Sequence, residues 1–155
     1  MHIIYPGTFD PVTLGHVDLV QRALCCFGDV LIAVAADTNK TALFSVSDRV
    51  ALCEQAFADE PRVNVIAFDG LLVECAKAHN INVILRGVRD SVDFDYETRL
   101  AGMNQLLDSS IETLFMKASP KWQSVSSGFV KEVKRLGGDI SAYVPPAVRE
   151  AAWPS

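Results

Sequence analysis

Several of the commonest signatures of nucleotide, metal and acyl chemistry are missing from this chain. It has no Gly-x-x-x-x-Gly-Lys-Ser/Thr loop, no Gly-x-Gly-x-x-Gly turn, no His-Glu-x-x-His pair and no Gly-x-Ser-x-Gly elbow. Any phosphate-binding device must therefore be built from helix N-termini and scattered side chains. The four cysteines, Cys25, Cys26, Cys53 and Cys75, make no Cys-x-x-Cys pair, which argues against a zinc site. All four fall in or beside apolar helical stripes and read as buried free thiols. Positive charge is in the minority, 14 Lys and Arg against 19 Asp and Glu, for a net charge of −5. That balance excludes a general nucleic-acid surface. The longest charge-free apolar run, Val30 to Ala36, is too short to span a membrane. The opening His2-Ile3-Ile4-Tyr5 reads as a strand without a basic leader region. The expectation is a soluble, cytoplasmic protein with no membrane or nucleic-acid partner.

What is present is a regular alternation of strand and helix patterns over 155 residues, half of them hydrophobic. No linker, repeat or low-complexity segment interrupts it, so residues 1–155 read as one domain. Apolar runs predict strands at His2–Tyr5, Val30–Ala36, Val63–Phe68, Val83–Leu85 and Ile111–Met116. Between them, apolar residues at steps of three and four predict helices: Val17, Val20, Leu24 and Phe27; then Val50, Cys53 and Phe57, opened by Ser45 or Ser47. Leu72, Cys75 and Ala76 mark a short helix ending near His79, which reads as a packed or capping histidine. Tyr96, Leu100, Met103 and Leu107 form the next stripe. Phe129, Val133 and Leu136 form another, capped by Ser126 or Ser127 and stopped at Gly137-Gly138. A last short helix starts near Pro145-Pro146. The order βαβαβαβαβα implies an α/β fold with a doubly wound, five-stranded parallel sheet.

The chain is organised around Tyr5-Pro-Gly-Thr-Phe-Asp-Pro-Val-Thr-Leu-Gly-His16. Pro6 to Thr13 is a strand-to-helix loop, and Thr13 stands where an N-cap belongs. Leu14 to His16 then form a first helical turn whose free N–H groups and positive dipole end suit a phosphate. His16 would lie beside that guest. In doubly wound sheets ligands sit beyond the carboxyl ends of the strands. Chemistry-bearing residues follow every strand: Thr8 and His16, Lys40, Leu72, Arg86 with Arg89, and Trp122 to Gly128. A charge such as Arg86 ending a buried strand needs a partner.

The spacing Thr13-x-Gly-His16 resembles the signature of the nucleotidyltransferase superfamily. The longer run Tyr5-Pro-Gly-Thr-Phe-Asp-Pro11 is similar to the phosphopantetheine adenylyltransferase family. Val125-Ser-Ser-Gly-Phe-Val-Lys131 resembles a second signature, Ile-Ser-Ser-Ser/Thr-x-x-Arg/Lys, departing from it where Gly128 replaces a third hydroxyl. Arg86-Gly-Val-Arg-Asp-Ser-Val-Asp-Phe-Asp-Tyr-Glu97 resembles a third block. The resemblance implies a Rossmann-like nucleotidyltransferase fold and adenylyl transfer from ATP to 4′-phosphopantetheine, giving dephospho-coenzyme A and pyrophosphate. It implies that Thr8, Lys40, Leu72 and Arg86 hold 4′-phosphopantetheine. It assigns ATP to Thr8, Phe9, His16, Gly87, Val88, Arg89, Glu97, and Trp122, Gln123, Ser124, Val125, Ser126, Ser127 and Gly128. His16 would stabilise the transition state, Mg²⁺ would arrive with ATP without a dedicated protein metal site, and the assembly would be a homohexamer.

These residue types suit that chemistry. A phosphate monoester is ionised near neutral pH and needs no general base. Catalysis rests on positioning and on cationic or N–H groups around the α-phosphorus. Lys40 and Arg86 can neutralise the attacking phosphate while His16 donates to an α-phosphoryl oxygen. Two alternatives stand beside it: nucleotidyl transfer to another phosphorylated alcohol, and an ATP-binding regulatory module without chemistry.

Overall fold

The computed structural model describes residues 1–36 and 41–154. Strands β1 (His2–Gly7), β2 (Asp29–Ala35), β3 (Val63–Phe68), β4 (Val83–Val88) and β5 (Glu112–Lys117) form one all-parallel sheet in the order β3-β2-β1-β4-β5. The helices are α1 (Leu14–Phe27), α2 (Val46–Ala56), α3 (Leu72–Ala78), α4 (Ser91–Leu107), α5 (Ser127–Arg135) and α6 (Pro146–Glu150). The strand order runs outward in both directions from β1. The reversal therefore lies between β1 and β4, where such sheets open a crevice.

Side chains alternate along the buried strands, and two cores follow from that period of two. Ile3, Tyr5, Val30, Ile32 and Val34 join Leu19, Val20, Ala23 and Leu24 of α1, Leu52 and Cys53 of α2, Val130 of α5 and Val148 of α6. On the other face Ile4, Leu31, Ala33 and Ile84 pack with Val73 and Ala76 of α3. Fully burying one such side chain contributes about 1.5–3 kcal/mol.

The expected elements are present, with five corrections. β4 does not stop at Leu85 but continues through Arg86, Gly87 and Val88, in register with Phe115 to Lys117. The stripe expected to pack α4 faces outward: Tyr96, Met103 and Leu107 are exposed, and the one buried residue of that helix is Glu97. On α5 the core position belongs to Val130, whereas Phe129 and Leu136 are exposed. Arg49, on a helix read only for its apolar face, is buried. Of the cysteines, only Cys53 is buried; Cys25 and Cys26 are exposed. His79 takes the capping alternative, ending α3 with its ring Nδ1 2.9 Å from the Cys75 carbonyl oxygen.

Candidate active site

A cavity of about 270 Å³ opens at the carboxyl ends of β1 and β4, bounded by the starts of α1 and α5. Of the expected site residues, Thr8 and Phe9 line it from the first loop, His16 from the first turn of α1, Arg86 and Gly87 from β4, Arg89 from the turn after it and Glu97 from α4. Trp122, Val125, Ser126 and Ser127 close the third side. Leu72, Val88, Gln123, Ser124 and Gly128 do not line it. Leu72 opens α3 and packs partly against the second core, while Gln123 Nε2 donates to the Arg89 carbonyl at 2.9 Å. Lys40 lies outside the described residues.

The α1 terminus is built as its sequence predicts. Thr13 is the N-cap, and its Oγ1 accepts the His16 N–H at 3.4 Å. In return the Thr13 N–H donates to Nδ1 of His16 at 3.0 Å, a capping box closed by a histidine. An Nδ1 that accepts a backbone N–H carries no proton, so the ring hydrogen sits on Nε2. Burial, and secondarily the Arg89 guanidinium, pull the His16 pKa down to about 4. The ring is thus a neutral Nε2–H donor at neutral pH. It leans on Phe9, whose ring centroid is 5.0 Å away. Phe9 has a φ of +50°, a left-handed backbone that aromatic residues rarely adopt. Its ring folds back over Gly7, where a Cβ would come within 2.9 Å of it.

Two helix starts face the cavity with unspent N–H groups. Leu14 N–H donates to the Tyr143 carbonyl at 2.8 Å, but Gly15 N–H has no protein acceptor among the described residues. A Cβ at Gly15 would sit 3.5 Å from the Trp122 Cβ and 3.7 Å from the Val125 carbonyl, narrowing the gap a ligand must use. On α5, Ser126 is the N-cap and its Oγ accepts the Phe129 N–H at 3.0 Å. Ser127 spends its hydroxyl hydrogen on the Pro11 carbonyl at 2.7 Å. Gly128 supplies only its N–H.

The charged lining is paired. Arg86 grips Glu97 through Nε at 2.6 Å and Nη2 at 2.5 Å, and donates from Nη1 to the Pro6 carbonyl at 2.8 Å. Among the described residues three of its five N–H hydrogens are spent on protein, which leaves two for a ligand. Arg89 holds Asp93 through Nε at 2.7 Å and Nη2 at 3.2 Å, which keeps the Asp93 carboxyl below its ordinary range. Each cation is matched by a carboxylate. The net attraction for an anion therefore falls to the helix starts and to the arginine hydrogens still free. Gly87 also has a packing duty, since a Cβ there would lie 2.5 Å from Leu19 Cδ1 of α1.

Sequence reasoning missed Asp93, Asp10, Arg49 and any tie made by Lys131. Asp93 stands four residues after Arg89, a spacing that signals an ion pair. Asp10 and Lys131 lie in two motifs far apart in the chain, and nothing in either motif signals that they meet. Nothing in the sequence marks Arg49.

Residues 4–133 match the model of the cytidylyltransferase-like family. The phosphopantetheine adenylyltransferase of Solidesulfovibrio magneticus is 53% identical over 147 residues, covering 95% of this chain and 86% of the relative. That of Methylococcus capsulatus is 49% identical over 148 residues, covering 96% and 91%. That of Pasteurella multocida is 47% identical over 149 residues, covering 96% and 94%. Among the described residues no helix is long and apolar enough to cross a membrane.

Proposed function

The chain belongs to the cytidylyltransferase-like family and, within it, to the phosphopantetheine adenylyltransferases, and from that membership we propose that it transfers the adenylyl group of ATP to 4′-phosphopantetheine in coenzyme A biosynthesis. A phosphate oxygen of phosphopantetheine attacks the α-phosphorus in line. The new P–O bond completes dephospho-coenzyme A, and the bond to the β-phosphate breaks to release pyrophosphate. The nucleophile is already an anion, so no proton is removed from it.

His16 carries this reading. A neutral imidazole whose Nδ1 is held by the Thr13 N–H presents one hydrogen, on Nε2, beside two helix starts. That hydrogen stabilises an α-phosphoryl oxygen as charge gathers on it, and the ring needs no reorganisation to do so. The Gly15, Ser127 and Gly128 N–H groups receive the phosphate chain. Thr8, Phe9, Gly87, Arg89, Glu97, Trp122 and Val125 to Ser127 surround ATP within the cavity, and Val88, Gln123, Ser124 and Gly128, assigned to ATP with them, stand just outside its lining. Thr8, Lys40 and Arg86 hold phosphopantetheine, with the two free hydrogens of Arg86 on its phosphate, and Leu72, outside the cavity's lining, would meet only the part of the substrate that extends beyond it.

Mg²⁺ bound to the phosphates of ATP would ease the departure of pyrophosphate. Asp93 and Glu97, the carboxylates that line the cavity, are each bound to an arginine, so these side chains form no resident site for the ion.

Residues 1–155 act as one nucleotidyltransferase domain that works in the cytoplasm, where exposed thiols such as Cys25 and Cys26 stay reduced. The assembly is a homohexamer, supported by the apolar face that α4 leaves open. The deciding experiment is pyrophosphate release from ATP with 4′-phosphopantetheine, set against nicotinamide mononucleotide and glycerol 3-phosphate. Turnover with phosphopantetheine alone is expected; equal turnover with either competitor overturns the substrate assignment.

A further inference from the structure

Asp10 is 3% exposed, and its carboxylate is enclosed by donors from two distant parts of the chain. Oδ2 accepts the Leu43 N–H at 2.8 Å, and Oδ1 accepts the Phe44 N–H at 2.8 Å. Lys131 of α5, two-thirds buried, donates from Nζ to Oδ2 at 2.9 Å. Burial works against the charge, but the Phe44 and Leu43 N–H groups and Lys131 outweigh it and hold the carboxyl below its ordinary range. Asp10 is therefore a rigid, ionised post. The loop that carries it is fixed in turn by Arg49, whose Nη1 donates to the Thr8 and Ala35 carbonyls, each at 2.8 Å. Nε of Arg49 takes the Phe44 carbonyl at 3.1 Å.

The other end of the tie is on α5. Ser127 donates to the Pro11 carbonyl, and Lys131, four residues later on the same helix face, donates to Asp10. Two pins on neighbouring residues of one loop fix both the position and the tilt of a helix, where one pin would leave it free to pivot. The α5 start is thereby held in register with the α1 start that bears Gly15 and His16.

We propose that Lys131 and Asp10 are positioning residues for adenylyl transfer, a tie that sets the distance between the two phosphate-facing helix starts without touching the substrates. The inference rests on the reaction proposed above. In-line transfer is sensitive to such spacing, since a displacement of about 1 Å can cost on the order of 100-fold in rate. A lysine in contact with phosphate would instead act chiefly through affinity.

The test is Lys131→Met, which leaves Asp10 its two backbone donors, beside Lys131→Arg, which can restore the tie. Three readouts are taken: kcat, the Kd for ATP by direct titration, and amide hydrogen exchange of the unliganded protein. The expected result for Lys131→Met is a kcat lower by about tenfold or more. Its Kd should stay within about threefold, with faster exchange at Phe129 and Val130 and unchanged exchange in β1 and β2. Lys131→Arg should recover most of the loss in kcat. A weakened Kd at unchanged kcat overturns the proposal by making Lys131 a phosphate ligand. Unchanged kcat, or unchanged exchange on α5, overturns it as well. Exchange is read without substrate, so a wild-type protein that fails to make dephospho-coenzyme A would refute the reaction while the tie is still judged on its own.

Discussion

Thr13 and His16 cap each other: the Thr13 N–H donates to the imidazole Nδ1, and the His16 N–H donates to the threonine Oγ1. This exchange fixes a tautomer as well as a helix end. In the unliganded protein His16 should titrate near pH 4 rather than near 6.5, because burial and Arg89 disfavour the imidazolium. Nitrogen NMR should show Nε2 protonated and Nδ1 bare throughout the neutral range. The linkage to stability has a definite sign. A folded pKa below the unfolded one gives a contribution that is complete above about pH 6.5 and lost as pH falls towards 4. Denaturant unfolding of the wild type and of His16→Asn should therefore differ in slope over that window and run parallel above it. Parallel curves at all pH values would mean that the ring titrates normally.

The pairing of Arg86 with Glu97 makes a second prediction. Glu97 is 8% exposed, and both its oxygens are spent on the guanidinium. Glu97→Ala strands Arg86 inside β4. Removing one partner of such a pair costs about 3–5 kcal/mol, which thermal unfolding will register as a Tm lower by many degrees. Glu97→Ala with Arg86→Met should recover part of that loss in stability while binding phosphopantetheine poorly. A full loss of stability in the double variant would show that the ion pair is not the source.

The first loop, the helix starts and the sheet were legible because they are local. An apolar run predicts a buried strand, and a hydroxyl before an apolar stripe predicts a cap; Thr13, Ser45 and Ser126 all cap. The expectation that Arg86, read as ending a buried strand, needs a partner was met by Glu97, although the strand continues past it. What was not legible is where a stripe faces. α4 carries a regular apolar pattern, but its inward residue is an acid, because the neighbouring strand presents Arg86. Periodicity counts faces and does not say whether a face meets the core or another molecule. Arg49 escaped for the opposite reason: its three acceptors are carbonyls, one from each of three separate segments, and backbone oxygens leave no trace in a sequence.

That outward stripe yields a third prediction. Leu106 is 89% exposed, with Met103 and Leu107 beside it on the same helix. Leu106→Glu should leave the subunit folded, since it disturbs no internal contact, yet place a charge in the interface proposed for the homohexamer. Sedimentation at micromolar concentration should give the hexamer for the wild type and smaller species for the variant. A wild-type monomer would remove the hexamer from the proposed function.

Gly128 occupies the place of a hydroxyl in the resembling signature. It is exposed, and a Cβ there would meet only Ser126 Oγ, at 3.8 Å. A serine fits without rearrangement, and it would be free to donate, unlike Ser127, whose hydrogen goes to Pro11. Gly128→Ser should therefore tighten ATP by about 1.5 kcal/mol, or roughly tenfold in Kd. An unchanged Kd with the fold intact would show that the backbone N–H already satisfies the phosphate.

The last prediction is the most direct for the enzymatic reading. In His16→Ala the donor on Nε2 is gone, and so is the acceptor that the Thr13 N–H uses, but Thr13 Oγ1 still caps the backbone of residue 16. Helix α1 should start where it does now. The Gly15 N–H and the α5 start are untouched, so ATP should bind almost as before. What is lost is one preorganised donor to an oxygen whose charge grows in the transition state, and that kind of loss costs on the order of 100-fold or more in kcat. Steady-state kinetics beside a direct ATP titration separate the two effects. Retained binding with collapsed kcat identifies His16 as the transition-state donor. Retained kcat with weakened binding would reduce it to an anchor and assign the stabilisation of the transition state to the helix-start N–H groups and Arg86 instead.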